Sequence, residues 1–384
     1  MPPYVSGART TNSTSFDKLI DMQDFLDFIR DDNMDVALLK RFGINGKEDG
    51  EGGRNRAKAI KTEWSQTALR SRGETVTLAD GTATTLTVAD ARMYQVGEIL
   101  RCEAEVMRVT AIASATTLTV TRAYAGTTGA AHAAKMVFSL GKAAEENSTP
   151  GASITDTPTN MFNYVQTFDV PVEVSKDQIM AWTTDGNTLD SQLERRFIEV
   201  NRQFARALLY GIKFQDTSTM ATPIRTMGGL FSFLTSNVTL VGGALTTSAI
   251  DALILKIVNA GASPKTIAVS PYQKQKLDAL DVNKQFLGKK EHTGGNLITN
   301  TWQSGILDHT LDIVVDRTLL DSQLLVTDDD YIEPLPYEGN GESGAWATYN
   351  ATAPGQDGTK KVIRGKYTLK VHNEKAHGYL DTLS

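Results

Sequence analysis

Little in this chain of 384 residues invites redox or metal chemistry. Cysteine occurs once, at Cys102, so an intrachain disulfide is excluded, and the apolar residues alternating around it place it inside a strand rather than at a reactive site. The five histidines are scattered; His372 and His377 stand at a spacing that suits no helical ligand pair. No metal site and no cofactor are expected. Long hydrophobic runs are missing too. The stretches that come nearest, such as LILKIV from Leu253, are broken by charge and fall far short of the ~20 residues of a membrane span. The opening residues, MPPYVSGARTTNST, have no apolar signal-peptide core, so synthesis and use in the cytoplasm are expected, with no membrane partner. Basic residues are not in excess. Against 45 acids stand 39 Lys and Arg, a formal net charge of −6, which removes the footprint of a dedicated nucleic-acid binder.

Catalytic motifs are equally scarce. GNGESG at 339–344 spells GxGxxG, but no strand precedes it and no helix follows, so its glycines cannot aim a helix N-terminus at a pyrophosphate. There is no GxxxxGK[ST], HExxH or GxSxG. TDDDY from Thr327 lacks the alternating ligands and central glycine of an EF-hand and reads as a solvated or interface turn. No enzymatic activity is expected.

What is present is a chain long enough for two or three domains, 40% hydrophobic and 22% charged, as soluble proteins are. Residues 1–42 form a polar arm with short helical stretches at 16–28 and 34–42. A glycine-rich, charged segment follows from Gly43 and cannot build a core alone. Between 75 and 141 the character changes to period-two alternation rich in Thr and Val, broken by short turns, which predicts five or six strands in one small β-module. The hexapeptide ATTLTV occurs there twice, at 83–88 and 115–120; two copies are too few for a repeat array, so they read as two strands of the module. The sequence resumes with a strand pair at about 160–175.

Residues 188–212 carry the most regular pattern. Leu189, Leu193, Phe197, Val200, Phe204, Ala207 and Leu208 recur at helical steps, predicting an amphipathic helix of about 24 residues, roughly 36 Å long, with Gly211 as a C-cap. Its other face is charged, with Glu194, Arg195, Arg196, Glu199, Arg202 and Arg206. That face is either solvated or a contact between subunits. Beyond it, helix signals at 246–261 and 272–281, strands at 264–271 and 309–333, and a strand-ending tail predict an α+β domain.

This order of parts resembles the major capsid proteins of tailed bacteriophages: polar arm, glycine-rich loop enlarged by a β-module, long helix, then an α+β domain containing KTIAVSPYQKQKLDAL and the tail GKYTLKVHNEKAHGYL. The resemblance is to the Hong Kong 97-type fold, in the branch with a β insertion in the extended loop. It implies an α+β chain with an inserted small all-β barrel or sandwich. The implied parts are an N-terminal arm (1–42), an extended loop (43–74 and 142–172), the module (75–141), a peripheral domain (173–239) with a spine helix (188–212), an axial domain (240–333) and C-terminal strands (334–384) returning to the core. It implies hexamers and pentamers of an icosahedral head around double-stranded DNA, assembled in the host cytoplasm, with decoration, scaffolding and portal proteins as further partners and weak, nonspecific contact with the DNA. The candidate inter-subunit residues are Arg195, Arg196, Glu199, Arg202 and Arg206 on the helix and Arg54, Arg56, Lys58 and Lys61 in the loop. A tail or fibre component is the alternative; it would call for β repeats or heptads, which are absent. The lysine–asparagine crosslink made by one member of that family has no matching motif here.

Overall fold

The computed structural model describes residues 35–43, 55–66, 73–143, 146, 158–180, 188–218, 223–280, 285–289, 298–339 and 342–384. The expected helix at 16–28 and Arg54 lie outside the described residues.

The β-module contains six antiparallel strands, ordered Glu74–Leu78, His132–Lys142, Glu98–Cys102, Glu105–Ile112, Thr117–Thr121 and Thr85–Thr87. The first and last of these lie side by side, so the sheet nearly closes on itself. Alternation sends Val76, Leu78, Leu86, Leu100, Cys102, Met107, Val109, Leu118, Val120 and Val137 into a core of the module's own. Cys102 is one of them, and burial pushes its thiol up, away from nucleophilic use.

The two ATTLTV copies pair with each other. Leu86 stands opposite Leu118, Thr85 opposite Thr119 and Thr87 opposite Thr117. The flanking bonds repeat the symmetry: Val88 N–H donates to the Thr116 carbonyl at 2.9 Å, and Val120 N–H to the Thr84 carbonyl at 2.8 Å. One hexapeptide, run antiparallel to itself about its leucine, thus places two leucines inside and four threonines towards the outside.

The spine helix runs Thr188–Tyr210 and crosses a four-stranded sheet. In that sheet the 14-residue strand Gly358–Val371 pairs along its length with Gln166–Ser175 on one side, and with Ile332–Pro336 and Ala347–Asn350 on the other. Between helix and sheet lie Val200, Phe204, Leu208, Phe168, Tyr367 and Leu369. Phe204 packs 4.7 Å from Tyr367, and edge-on to Phe168 at 5.4 Å. Trp346 lies flat over Gly365, where an added Cβ would come within 2.5 Å of the indole, so only glycine fits. The N-terminal half of the predicted stripe is less buried. Phe197 is 40% exposed and touches Trp346 edge-on, while Leu189 joins Val172 and Val174 in a small separate cluster.

Gly211 follows the helix directly, at the expected C-cap position, without a left-handed conformation. A Cβ there would meet the carbonyl oxygens of Ala207 and Met227 at 2.4 Å each. The helix ends because the backbone at Gly229 crosses there, its N–H donating to the Gly211 carbonyl at 2.8 Å. At Gly261, by contrast, φ is +91°, as a residue just beyond a helix end requires.

The second large unit is a seven-stranded mixed sheet, ordered Val238–Gly243, Gly378–Leu383, Leu324–Thr327, Thr266–Val269, Thr310–Val315, Ile298–Gln303 and Gln285–Lys289. Helices Thr247–Asn259 and Pro271–Ala279 accompany it, and Ile250, Leu253, Ile254, Ile257 and Leu277 pack with the sheet residues Ile267, Val269, Leu311, Leu324, Val326 and Leu380. Both helices are N-capped, by the Thr246 and Ser270 hydroxyls accepting from Ala249 and Gln273 N–H at 3.2 Å. The C-terminal tail ties the sheets together. Gly358–Val371 is central to the smaller sheet, and Gly378–Leu383 is inserted into the larger.

Candidate functional site

Of the nine residues singled out in the sequence, the structure describes all but Arg54, and several of the eight are engaged within the chain. Arg202 is an internal strut: its guanidinium pairs with Asp35 at 2.6 Å, and Arg317 approaches the same carboxylate at 3.8 Å. Arg196 pairs along its own helix with Glu199 at 2.6 Å, as i,i+3 neighbours do. Arg195 is half-buried. Arg206 is exposed. In the loop, Arg56 is spent on Glu338 (3.1 Å) and the Ser343 hydroxyl (3.2 Å). Lys61 pairs with Glu63 and stands 4.3 Å over the Phe162 ring. Lys58 is exposed.

Asp35 belongs to a clip that sequence reasoning assigned to the arm. Helix Ala37–Phe42 buries Leu38, Leu39 and Phe42 in the main core. Arg41 bridges Asp329 and Asp312 at 2.7 Å each, and the Leu38 N–H donates to the buried Asp316 carboxylate at 2.9 Å. Through Asp35 and Arg41 this segment joins the spine helix to the seven-stranded sheet. The TDDDY turn is therefore not a solvated turn. Asp328 and Asp329 are buried, Asp329 accepts from Arg41, Thr266 and Thr327, and Lys265 pairs with Asp330.

The module holds its own charged hub. Glu105 and Arg122 are almost wholly buried and meet through two parallel bonds of 2.6 Å. Arg122 also donates to the carbonyls of Asp80, Ala83 and Ala130, and the His132 ring lies 2.9 Å from Glu105. Three turns are thereby tied to one side chain. Burial pushes the Glu105 carboxyl up, but Arg122, the Ala130 amide, His132 and the Ala123 amide outweigh it and hold the group at about 2. Ala123 sits in the left-handed region with φ +55°, a conformation that turns its N–H to Glu105.

The module is carried on a two-stranded ribbon, Lys61–Gln66 paired with Thr159–Tyr164. Its root is fixed in the main core by Trp64, 5.9 Å from Phe233, and by the fully buried Asn163. The Asn163 amide donates to the carbonyls of Gly228 and Leu369 and accepts from the Gly228 N–H.

Among the described residues no group of three or more His, Cys, Asp or Glu is placed to hold a metal, and no helix is long and apolar enough to cross a membrane. An open groove of about 540 Å³ runs between Pro171–Ser175 and the helix residues Gln178, Gln192 and Arg196. The polar side chains there are not paired as nucleophile and base. Apolar side chains, however, stand in the open: Met136, Phe138 and Leu140 on one face of a module strand, and Ile212, Phe214 and Ile224 after the spine helix. The alternation at 136–140 was visible in the sequence; which face would be covered was not.

Rigid layered domains, a separately cored module on a ribbon, and apolar surface left outside define a structural subunit. The chain matches the family model described as SU10 major capsid protein over residues 8–384, and it belongs to that family. No curated protein matches it. Among solved structures it is similar to a chain of the capsid of an empty GTA particle (9% identity, 98% of this chain and 100% of that one, TM-score 0.49). It is also similar to a chain of Mycobacterium phage Patience (10%, 62% and 75%, TM-score 0.46) and to the holo-SrpI encapsulin complex of Synechococcus elongatus PCC 7942 (11%, 60% and 78%, TM-score 0.43). As a major capsid protein, it builds the capsid shell of a virion.

Proposed function

We propose that the chain is a Hong Kong 97-type subunit that closes into hexamers and pentamers of an icosahedral head around double-stranded DNA, assembled in the host cytoplasm. The observation that carries this reading is the ribbon. Its two strands are seated on the chain's own core through Trp64, Met161 and Asn163, and the chain passes from them into a six-stranded module with a separate core. A module carried in this way can reach a neighbouring subunit, and closed shells of identical units join unlike patches head to tail. The spine helix over its sheet plays the peripheral part, and the seven-stranded sheet the axial part. The chain's catalytic role is nil in this reading; it binds DNA weakly and without sequence preference.

The module's place is over a neighbouring subunit, with Met136, Phe138 and Leu140 as its contact stripe. Arg195, Arg196, Glu199, Arg206, Lys58 and Lys61 remain the charged candidates for subunit contact, whereas Arg202 and Arg56 have partners within the chain. Negative-stain imaging of the purified chain beside a sizing column tests the shell: icosahedral or capsomer-sized particles are expected, and a persistent monomer would refute it. Deleting residues 75–141 tests the module. Fewer or less heat-resistant particles are expected; normal, equally stable ones would leave it no part in holding the shell together.

A further inference from the structure

Strands Phe214–Asp216 and Ile224–Thr226 form a small antiparallel hairpin directly after the spine helix, with Phe214 opposite Thr226 and Asp216 opposite Ile224. Directly opposed residues share a face. One face therefore carries Phe214, Ile224, Asp216 and Thr226, with Ile212 in phase two residues earlier; the other carries Lys213, Gln215 and Arg225. In a soluble hairpin the apolar face is turned inward. Here the order is reversed. Lys213 faces the subunit, its ammonium 4.0 Å from the Phe162 ring and within 3.4 Å of the Phe162 carbonyl oxygen. Ile212, Phe214 and Ile224 are 75%, 59% and 67% exposed. The Thr226 hydroxyl donates to the Ile212 carbonyl at 2.7 Å, which fixes the hairpin to the helix end in this orientation.

We propose that this outward face is a contact surface for a second copy of the chain, a proposal that rests on the shell reading above. The size of the patch selects that occupant. Three side chains so exposed present on the order of 300 Å² of apolar surface, the size of the largest patch on an ordinary monomer, which is often functional. A lasting one-to-one complex takes about 800 Å² from each partner. The face is too small to hold a separate soluble partner by itself. It is sufficient as one of several weak contacts closed simultaneously, where each makes the next intramolecular. A closed array of identical subunits supplies that setting and repeats the contact in every copy.

The test uses the full chain alone, with Phe214 replaced by the photo-crosslinker p-benzoylphenylalanine. Particles are assembled from a mixture of isotopically light and heavy subunits and irradiated. Covalent dimers containing one light and one heavy chain are expected. If particles form and irradiation yields only monomers or links within one chain, the proposal falls while the shell reading stands. If the unsubstituted chain forms no particles, both fall. A paired Phe214→Ser and Ile224→Thr variant is expected to keep the melting curve of the subunit and to reduce particle yield about tenfold or more, the effect of losing a buried apolar anchor at an interface. Undiminished yield would overturn the proposal.

Discussion

Two short β pairs in this molecule treat their side chains in opposite ways. In the module, Thr85–Thr87 and Thr117–Thr121 hide Leu86 and Leu118 completely and turn threonines outward. After the spine helix, Phe214–Asp216 and Ile224–Thr226 turn a lysine inward and leave Phe214 and Ile224 in water. The first pair is finished within the chain: its leucines sit in a private core, next to a saturated ion hub. The second is finished only in company. The difference shows how one polypeptide separates the task of folding from that of joining, assigning each to different residues rather than compromising in both.

The contrast predicts a ladder of effects. Arg122→Ala would leave the Glu105 carboxylate buried and unpaired, and removing one partner of a buried pair costs about 3–5 kcal/mol. Loss of cooperative unfolding of the module, read by hydrogen exchange at its strands, is the expected result; an unchanged module would mean that the hub is ornamental. Leu86→Ala and Leu118→Ala should each cost about 2–5 kcal/mol in denaturant melts. Because the two sites are related by the self-pairing of one hexapeptide, the losses should be nearly equal. A large difference would show that the symmetry is confined to the backbone.

The Glu105 carboxyl is held at about 2, below its ordinary 4.5. A depressed acid contributes stability that is complete above the unfolded value and fades as pH falls towards the folded one. The module should therefore hold its hub stabilisation down to about pH 4.5 and lose it progressively between there and pH 2. Glu105→Gln, melted across that window, should flatten this part of the pH dependence; an unchanged slope would assign it to other carboxylates. Smallest of all is the expected effect of Phe214→Ser on the isolated subunit, within about 0.5 kcal/mol of the parent, as for surface substitutions without a partner. A larger loss would mean that the hairpin is part of the fold after all.

The fold was legible wherever period and burial coincide. The module's alternation, the helix of 188–210 and the capped helices at 247 and 271 follow from residues close in sequence. What could not be read were pairings between distant residues. Arg202 shows only helical charge in the sequence, and nothing local says that Asp35 will meet it. The same holds for Arg41 with Asp312 and Asp329, and for the acidic turn, in which Asp328 and Asp329 are buried while Asp330 stays exposed. Gly211 was legible as the helix's cap, but the backbone crossing at Gly229, which leaves no room there for a side chain, lies 18 residues away. The Ile212, Phe214, Ile224 face was missed because sequence patterns report which residues share a side, not which side meets water.

Glu74 and Val137, on the strands through which the chain comes into the module and departs from it, are hydrogen-bonded neighbours. The chain therefore enters and leaves the module on paired strands, and among the described residues no other segment joins its sheet. Mechanically it is a cassette. Its size or identity can drift, or be exchanged for an unrelated fold whose ends lie together, while the scaffold beneath keeps its connectivity.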